Sequence, residues 1–122
     1  VTKRRHPEDD LQARVVKTLR TMPGLFVFAV PNGGYRTMGD AMALRRTGTV
    51  AGVPDLMCIR NDGQCMGLEL KAPGIIKNKD AAHIYCSEDQ RTIHRKLRAL
   101  DVPVFVTDDH DAAVEEVERW AQ

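Results

Sequence analysis

The segment GVPDLMCIRNDGQCMGLELKAPG, residues 52–74, constrains this chain more than any other stretch. Two apolar runs flank Asn61-Asp62-Gly63, a strong turn signal, so the segment predicts a β-hairpin. Side chains alternate across a strand, so Glu69 and Lys71 share one face while Met66, Leu68 and Leu70 take the other. Asp55, at the start of the first strand, joins Glu69 in one register only. A two-residue Asp62-Gly63 turn sets Asp55 opposite Leu70, on the wrong face. A three-residue Asn61-Asp62-Gly63 loop with Gly63 left-handed sets Asp55 opposite Glu69, and glycine in third place favours this second loop.

Two carboxylates at cross-strand distance repel, and one lysine does not fully offset them. A divalent cation does. Hard oxygen ligands in an open cluster suit Mg²⁺ or Mn²⁺, which keep several waters and accept phosphate oxygens as further ligands. Such an ion acidifies water and stabilises charge on a phosphoryl group. With Lys71 placed to hold that water, the hairpin has the equipment for hydrolysing a phosphodiester.

The flanking sequence sorts into alternating helices and strands. Pro7 opens a helix running to about Thr21, with Leu11, Val15 and Leu19 as its buried stripe. Glu8 falls on that stripe, so it is expected to point inward, with Gln12 near it. Leu25 to Val30 is apolar on both faces and predicts a central strand covered on both sides. A short helix from Asp40, its cap, to Arg46 ends at Gly48. A long polar segment, Ala72 to Cys86, follows the hairpin. Ser87-Glu88-Asp89-Gln90 is a capping box opening a helix whose apolar face is Ile93, Leu97 and Leu100, with Gln90 on the inward side. Val102 to Thr107 predicts a strand and Asp111 to Trp120 a closing acidic helix anchored by Trp120. The order α-β-α-β-β-α-β-α describes one α/β domain over residues 1–122, a mixed central sheet flanked by helices.

Net charge is only +1, yet it is unevenly distributed. Residues 1–100 hold 17 Lys and Arg against 10 Asp and Glu, whereas residues 101–122 hold one Arg against seven acids. Segregation of this kind gives a basic face that attracts phosphate. Arg36, Arg45 and Arg46 surround the Gly-rich connection before the hairpin, and Lys77 and Lys79 lie in the polar segment; these are the candidate DNA contacts. The four histidines are too scattered for a zinc site, and His94 and His110 are expected at the surface. Asp108, Asp109 and Asp111 sit at a strand-to-helix turn, where capping is expected. No apolar run is long enough to cross a bilayer, and the basic start leads into acids, unlike a secretory signal. Three cysteines without a CxxC pair predict reduced thiols in an intracellular compartment.

With these residues in place, the chain resembles a known family. Pro54-Asp55, thirteen residues, then Glu69-Leu70-Lys71 is similar to the PD-(D/E)XK nuclease motif. Glu8-x-x-x-Gln12 before it, Gly52-Val53-Pro54-Asp55 around it, and Lys71-Ala72 and Ser87-x-x-Gln90 after it resemble the virus-type replication–repair nuclease domain, VRR-NUC, in stand-alone form. The resemblance spans Glu8 to Thr107. It implies a restriction-endonuclease-like PD-(D/E)XK fold and Mg²⁺- or Mn²⁺-dependent cleavage of DNA. It implies that Asp55, Glu69, the Leu70 carbonyl and Glu8 hold the metal, that Lys71 is the catalytic lysine, and that Gln90 supports the site. It also implies a homodimer acting on branched DNA such as Holliday junctions, in the cytoplasm of a bacterial or phage-infected cell, without a membrane. A flap nuclease, a sequence-specific restriction-type nuclease and a non-catalytic DNA-binding module are the alternatives. The chain departs from the family in one place. Eighteen residues separate Lys71 from Gln90, and the excess, around Ile75 to Tyr85, reads as a DNA-contacting loop, a dimer arm or disorder.

Overall fold

A computed structural model describes residues 6–31 and 37–122. The elements are α1 (Pro7–Leu19), β1 (Leu25–Ala29), α2 (Met38–Arg46), β2 (Leu56–Arg60), β3 (Cys65–Leu70), a 3₁₀ segment (Lys79–Tyr85), α3 (Glu88–Ala99), β4 (Val104–Thr107) and α4 (His110–Ala121). The strands form one sheet in the order β1-β2-β3-β4, antiparallel except for the parallel β3–β4 pair. Consecutive strands thus stay neighbours, and α3 carries the crossover that a parallel pair needs.

The hairpin adopts the register that the three-residue loop demands. Leu56 pairs with Leu68, Met57 with Gly67, Cys58 with Met66 and Ile59 with Cys65. Gly63 has φ +86°, and Arg60 and Gln64 close the loop, the Arg60 amide donating to the Gln64 carbonyl at 3.0 Å. Asp62 Oδ1 accepts from the Gln64 amide, fixing the turn from within.

One face of the sheet holds the main core. Val27, Leu56, Cys58, Met66, Leu68 and Leu70 pack against Leu11, Val15 and Leu19 of α1 and Ala113, Val114 and Val117 of α4. Trp120 joins this core from α4, and the Arg60 guanidinium stacks 4.9 Å from the centre of its ring. Among the described residues, α3 and the 72–86 segment cover the other face over β3 and β4. There Ile76 and Cys86 pack on Val106, with Ala82 and Tyr85 beside them. The excess segment is therefore an ordered strap. Asp108 Oδ2 accepts from the Ile76 amide at 2.9 Å, and the Tyr85 hydroxyl accepts from the Lys77 amide at 3.1 Å. Asp109 caps α4 by accepting from Ala112, as expected of that turn.

Several expectations need correction. β1 is the edge strand of the sheet, not a central one, and its second face is open, with Phe26 62% exposed. Thr37, not Asp40, caps α2, accepting from the Asp40 amide at 3.1 Å. Leu100 is the C-cap of α3 and 76% exposed, since the chain turns away before it can reach the sheet. His94 is 1% exposed rather than at the surface. His110 is half-buried, its Nε2 lying 2.8 Å from Thr18 Oγ1 and so tying α4 to α1. Among the described residues no helix is long and apolar enough to cross a membrane, and Cys58, Cys65 and Cys86 are free thiols.

Candidate active site

Asp55 is positioned by its neighbours on three sides. Its carbonyl accepts from the Val30 amide at 2.9 Å, which extends the β1–β2 ladder to it. Its Oδ2 accepts from the Leu70 amide at 2.8 Å across the hairpin. Pro54, fully buried, lies where a side chain on Gly67 would have to go: a Cβ there would sit 2.6 Å from the proline ring. Glycine at position 67 thus lets the Pro54-Asp55 turn lie flat on β3.

The hairpin register brings the Glu69 carboxyl onto the same face, within electrostatic reach of that of Asp55. Glu69 is 2% exposed. Its Oε2 accepts from Gln90 Nε2 at 3.2 Å and lies 3.8 Å from Lys71 Nζ. Lys71 Nζ in turn donates to Gln90 Oε1 at 2.9 Å. Gln90 serves two structures at once. As the third residue of the capping box, its Oε1 also accepts from the Ser87 amide at 2.9 Å, while Ser87 Oγ accepts from the Gln90 amide. Because a backbone N–H fixes which end of the amide is oxygen, the Nε2 end must face Glu69. The helix cap thereby orients the residue that bridges Lys71 and Glu69.

The electrostatics follow from burial. Asp55 is pushed up to about 7, chiefly by desolvation and then by hydrogen bonding to Glu69 and the negative charge of Glu69, against the Leu70 amide and Lys71. Glu69 is also raised by burial, with the charge of Glu8 adding to it and Asp55 and Lys71 opposing. A buried pair of acids that cannot both ionise is the state expected without a cation. Glu69 Oε1 is buried and has no hydrogen-bond partner. An orphaned carboxylate oxygen beside a second carboxylate is a donor set of hard oxygens, and it fits a divalent cation.

The remaining expected residues are placed differently. Glu8 stands on the first turn of α1 within electrostatic reach of Glu69. It is exposed rather than inward, because the layer that buries Leu11 does not extend a further turn. Among the described residues no three His, Cys, Asp or Glu side chains converge as a ready-made ion site. Leu70 presents its amide to Asp55 and buries its side chain in the main core. Arg45, Arg46, Lys77 and Lys79 are exposed, and Lys77 Nζ donates to the Gly74 carbonyl at 2.9 Å. Arg36 lies outside the described residues.

One residue of the site was not anticipated. His94 Nε2 lies 3.5 Å from Glu69 Oε1, and it too lacks a hydrogen-bond partner. Burial pushes His94 down to about 4, helped by Arg98 and Lys71 against Asp55, so the imidazole is neutral. The sequence held the signal: four residues after Gln90 on a helix is the same face.

Neither a sequence-family model nor a curated protein matches this chain. Solved structures do. One, described as a "VRR_NUC domain", superposes with a TM-score of 0.60 at 19% identity, over 93% of this chain and 97% of its own. Another, a "VRR_NUC domain protein", gives a TM-score of 0.68 at 17% identity, over 96% of this chain and 89% of its own. With its mixed four-stranded sheet and flanking helices, this chain has the restriction-endonuclease-like α/β fold of VRR_NUC domains.

Proposed function

We propose that this protein is a Mg²⁺- or Mn²⁺-dependent DNA endonuclease of the VRR-NUC type, acting on branched DNA as a homodimer. The observation that carries the reading is the pairing of the Asp55 and Glu69 carboxyls on one sheet face with Lys71 and Gln90 joined to them. Such a pairing is unfavourable for folding alone and gains its purpose with a cation. Asp55, Glu69 and the Leu70 carbonyl would hold the ion, with Glu8 completing its surroundings from α1. The bound ion supplies Lewis acidity at the scissile phosphate and acidifies water.

The chain's own residues do the rest. Gln90 keeps the Lys71 ammonium on the Glu69 side of the site, where it holds a water and places positive charge beside the phosphate as negative charge grows there. The oxygen of that water forms a bond to phosphorus as one phosphorus–oxygen ester bond breaks; the water gives up a proton and the departing oxygen takes one up. Arg45, Arg46, Lys77 and Lys79, together with Arg36, supply phosphate contacts that position the duplex. The acids of α4 lie across the sheet from Glu69, since α4 packs with Leu68 and Leu70 on the opposite face. DNA approaching the site therefore does not meet them.

A four-way junction needs two cuts, and one cluster aligns one phosphate, so two copies related by a two-fold axis meet the need most simply. Ile76 and Tyr85 are occupied within the strap, which narrows the apolar surface for a partner copy. Met38 and Met42 on α2 remain, 74% and 57% exposed, with Ile75 and Ile84 on the strap. Incubating the protein with a labelled four-way junction, a flap and a linear duplex in Mg²⁺, Mn²⁺ or EDTA tests the reading. Cuts at the branch point in either ion and none in EDTA are expected, with sedimentation at twice the 13.6 kDa chain mass. Cuts confined to one sequence, or to flaps by a monomer, would replace the junction reading, and no cleavage in any condition would remove the enzyme.

A further inference from the structure

We infer that His94 is a positioning residue that holds the Glu69 carboxylate in its metal-ready orientation through an N–H on Nε2. The inference rests on the metal reading of Asp55 and Glu69 and adds a residue to it.

Glu69 has two oxygens with different fates. Oε2 is held by Gln90 Nε2 and lies near Lys71. Oε1 lies 3.5 Å from His94 Nε2, and both atoms are buried without a hydrogen-bond partner among the described residues. Two orphaned polar atoms of opposite capacity, facing each other in a site nearly closed to water, are each other's natural partner. The sign of the contact fixes the tautomer. A lone pair on Nε2 aimed at a carboxylate oxygen would repel it, whereas an N–H attracts it, so the proton belongs on Nε2. The 3.5 Å separation is longer than a settled hydrogen bond. The contact is therefore a restraint on where Oε1 points, not an occupied bond that would have to break before an ion is bound.

The backbone makes the arrangement specific. α3 starts at Ser87, and its capping box fixes the helix against Glu69 through Gln90. One turn later the same helix face delivers His94. Gln90 and His94 thus approach Glu69 from the same helix, one to each oxygen. A core-filling residue could be apolar here. A polar ring with its nitrogen turned to Glu69 Oε1 is what orientation requires.

Two substitutions separate orientation from packing. His94→Gln keeps an N–H donor at about the reach of Nε2, whereas His94→Leu keeps bulk and removes the donor. If His94 only fills the core, Leu is the better replacement and Gln the worse. If it positions Glu69, the order reverses. Mn²⁺ affinity measured by calorimetry without DNA, beside thermal unfolding in EDTA, reads the difference. Expected is a loss of about tenfold or more for His94→Leu with folding intact, and near wild-type affinity for His94→Gln. Equal affinity in wild type and His94→Leu would overturn the inference while leaving the metal site standing. Wild-type protein that binds no Mn²⁺ would overturn the metal reading instead. Long-range ¹H–¹⁵N spectra of the wild type decide the His94 contact even if a variant fails to fold: a proton on Nε2 is required, and one on Nδ1 alone refutes it.

Discussion

Gly52→Ala tests how closely the first motif is built against the helix that completes it. Gly52 has φ +94°, and a Cβ there would meet the Asp89 carbonyl oxygen at 2.5 Å, its carbon at 2.6 Å and the Gln90 nitrogen at 2.8 Å. All three are backbone atoms at the start of α3, so no side chain can move aside. Carbon–oxygen contacts settle at roughly 3.3 Å or more, so the two segments must part by about 0.8 Å. The left-handed backbone adds about 1–2 kcal/mol for any residue with a Cβ, and the collision adds about 1–3 kcal/mol. A total loss of about 2–5 kcal/mol is expected. Gly74→Ala supplies the control. Gly74 also has positive φ, +81°, but nothing lies within 4 Å of its Cβ position. It should lose only the backbone part, and both variants share the same effect of replacing glycine in the unfolded chain. Urea unfolding in EDTA measures the difference. Moving α3 by that amount also carries Gln90 Nε2, now 3.2 Å from Glu69, past hydrogen-bond reach. Mn²⁺ affinity should therefore fall in Gly52→Ala and not in Gly74→Ala. Equal stability and equal affinity in the two variants would refute the reasoning.

Asp55→Asn should abolish Mn²⁺ binding and cleavage yet stabilise the metal-free protein at pH 8, read as a higher urea midpoint in EDTA. The same logic gives a pH dependence for the metal-free wild type. Asp55 titrates near 3.8 unfolded and about 7 folded, so between those values the folded state keeps a proton that the unfolded state has released. Stability then falls as pH rises from about 4 to about 7, by up to about 4 kcal/mol, with Glu69 acting in the same direction. A metal-free stability that climbs across that window would refute the buried-pair assignment, and saturating Mn²⁺ should raise the melting temperature more at pH 8 than at pH 5. Lys71→Ala should cut turnover about 10²–10³-fold with DNA affinity nearly unchanged, because exposed basic residues and not Lys71 supply binding. Ser87→Ala should cost about 1 kcal/mol as a lost cap and leave Mn²⁺ affinity close to wild type. Gln90→Ala should cost similar stability and also lower affinity, so equal affinity in the two would detach the cap from the site.

The sequence by itself determined what is local. A glycine in third place of a three-residue loop set the hairpin register, and period-two alternation then put Asp55 and Glu69 on one face. The capping box at Ser87 and the stripe of α1 were equally legible, since propensity and spacing act within a few residues of themselves. Only the tertiary structure decided what covers each surface. Leu25–Ala29 is as apolar as a central strand, yet it ends at the sheet edge, because burial depends on which helices reach it and not on its own composition. Glu8 sits on the right stripe and still meets solvent, since the layer beneath that stripe stops one turn short. His94 shows the same limit from the other side. Its helical phase matched Gln90, but Ile93 and Leu97 offered a competing apolar face only tens of degrees away. The docking of α3 on β3 and β4 selected the rotation that buries the imidazole against Glu69. Phase along a helix is written in sequence; the angle at which the helix meets the sheet is set by contacts between residues far apart in the chain, and those contacts decided which polar side chains became part of the site.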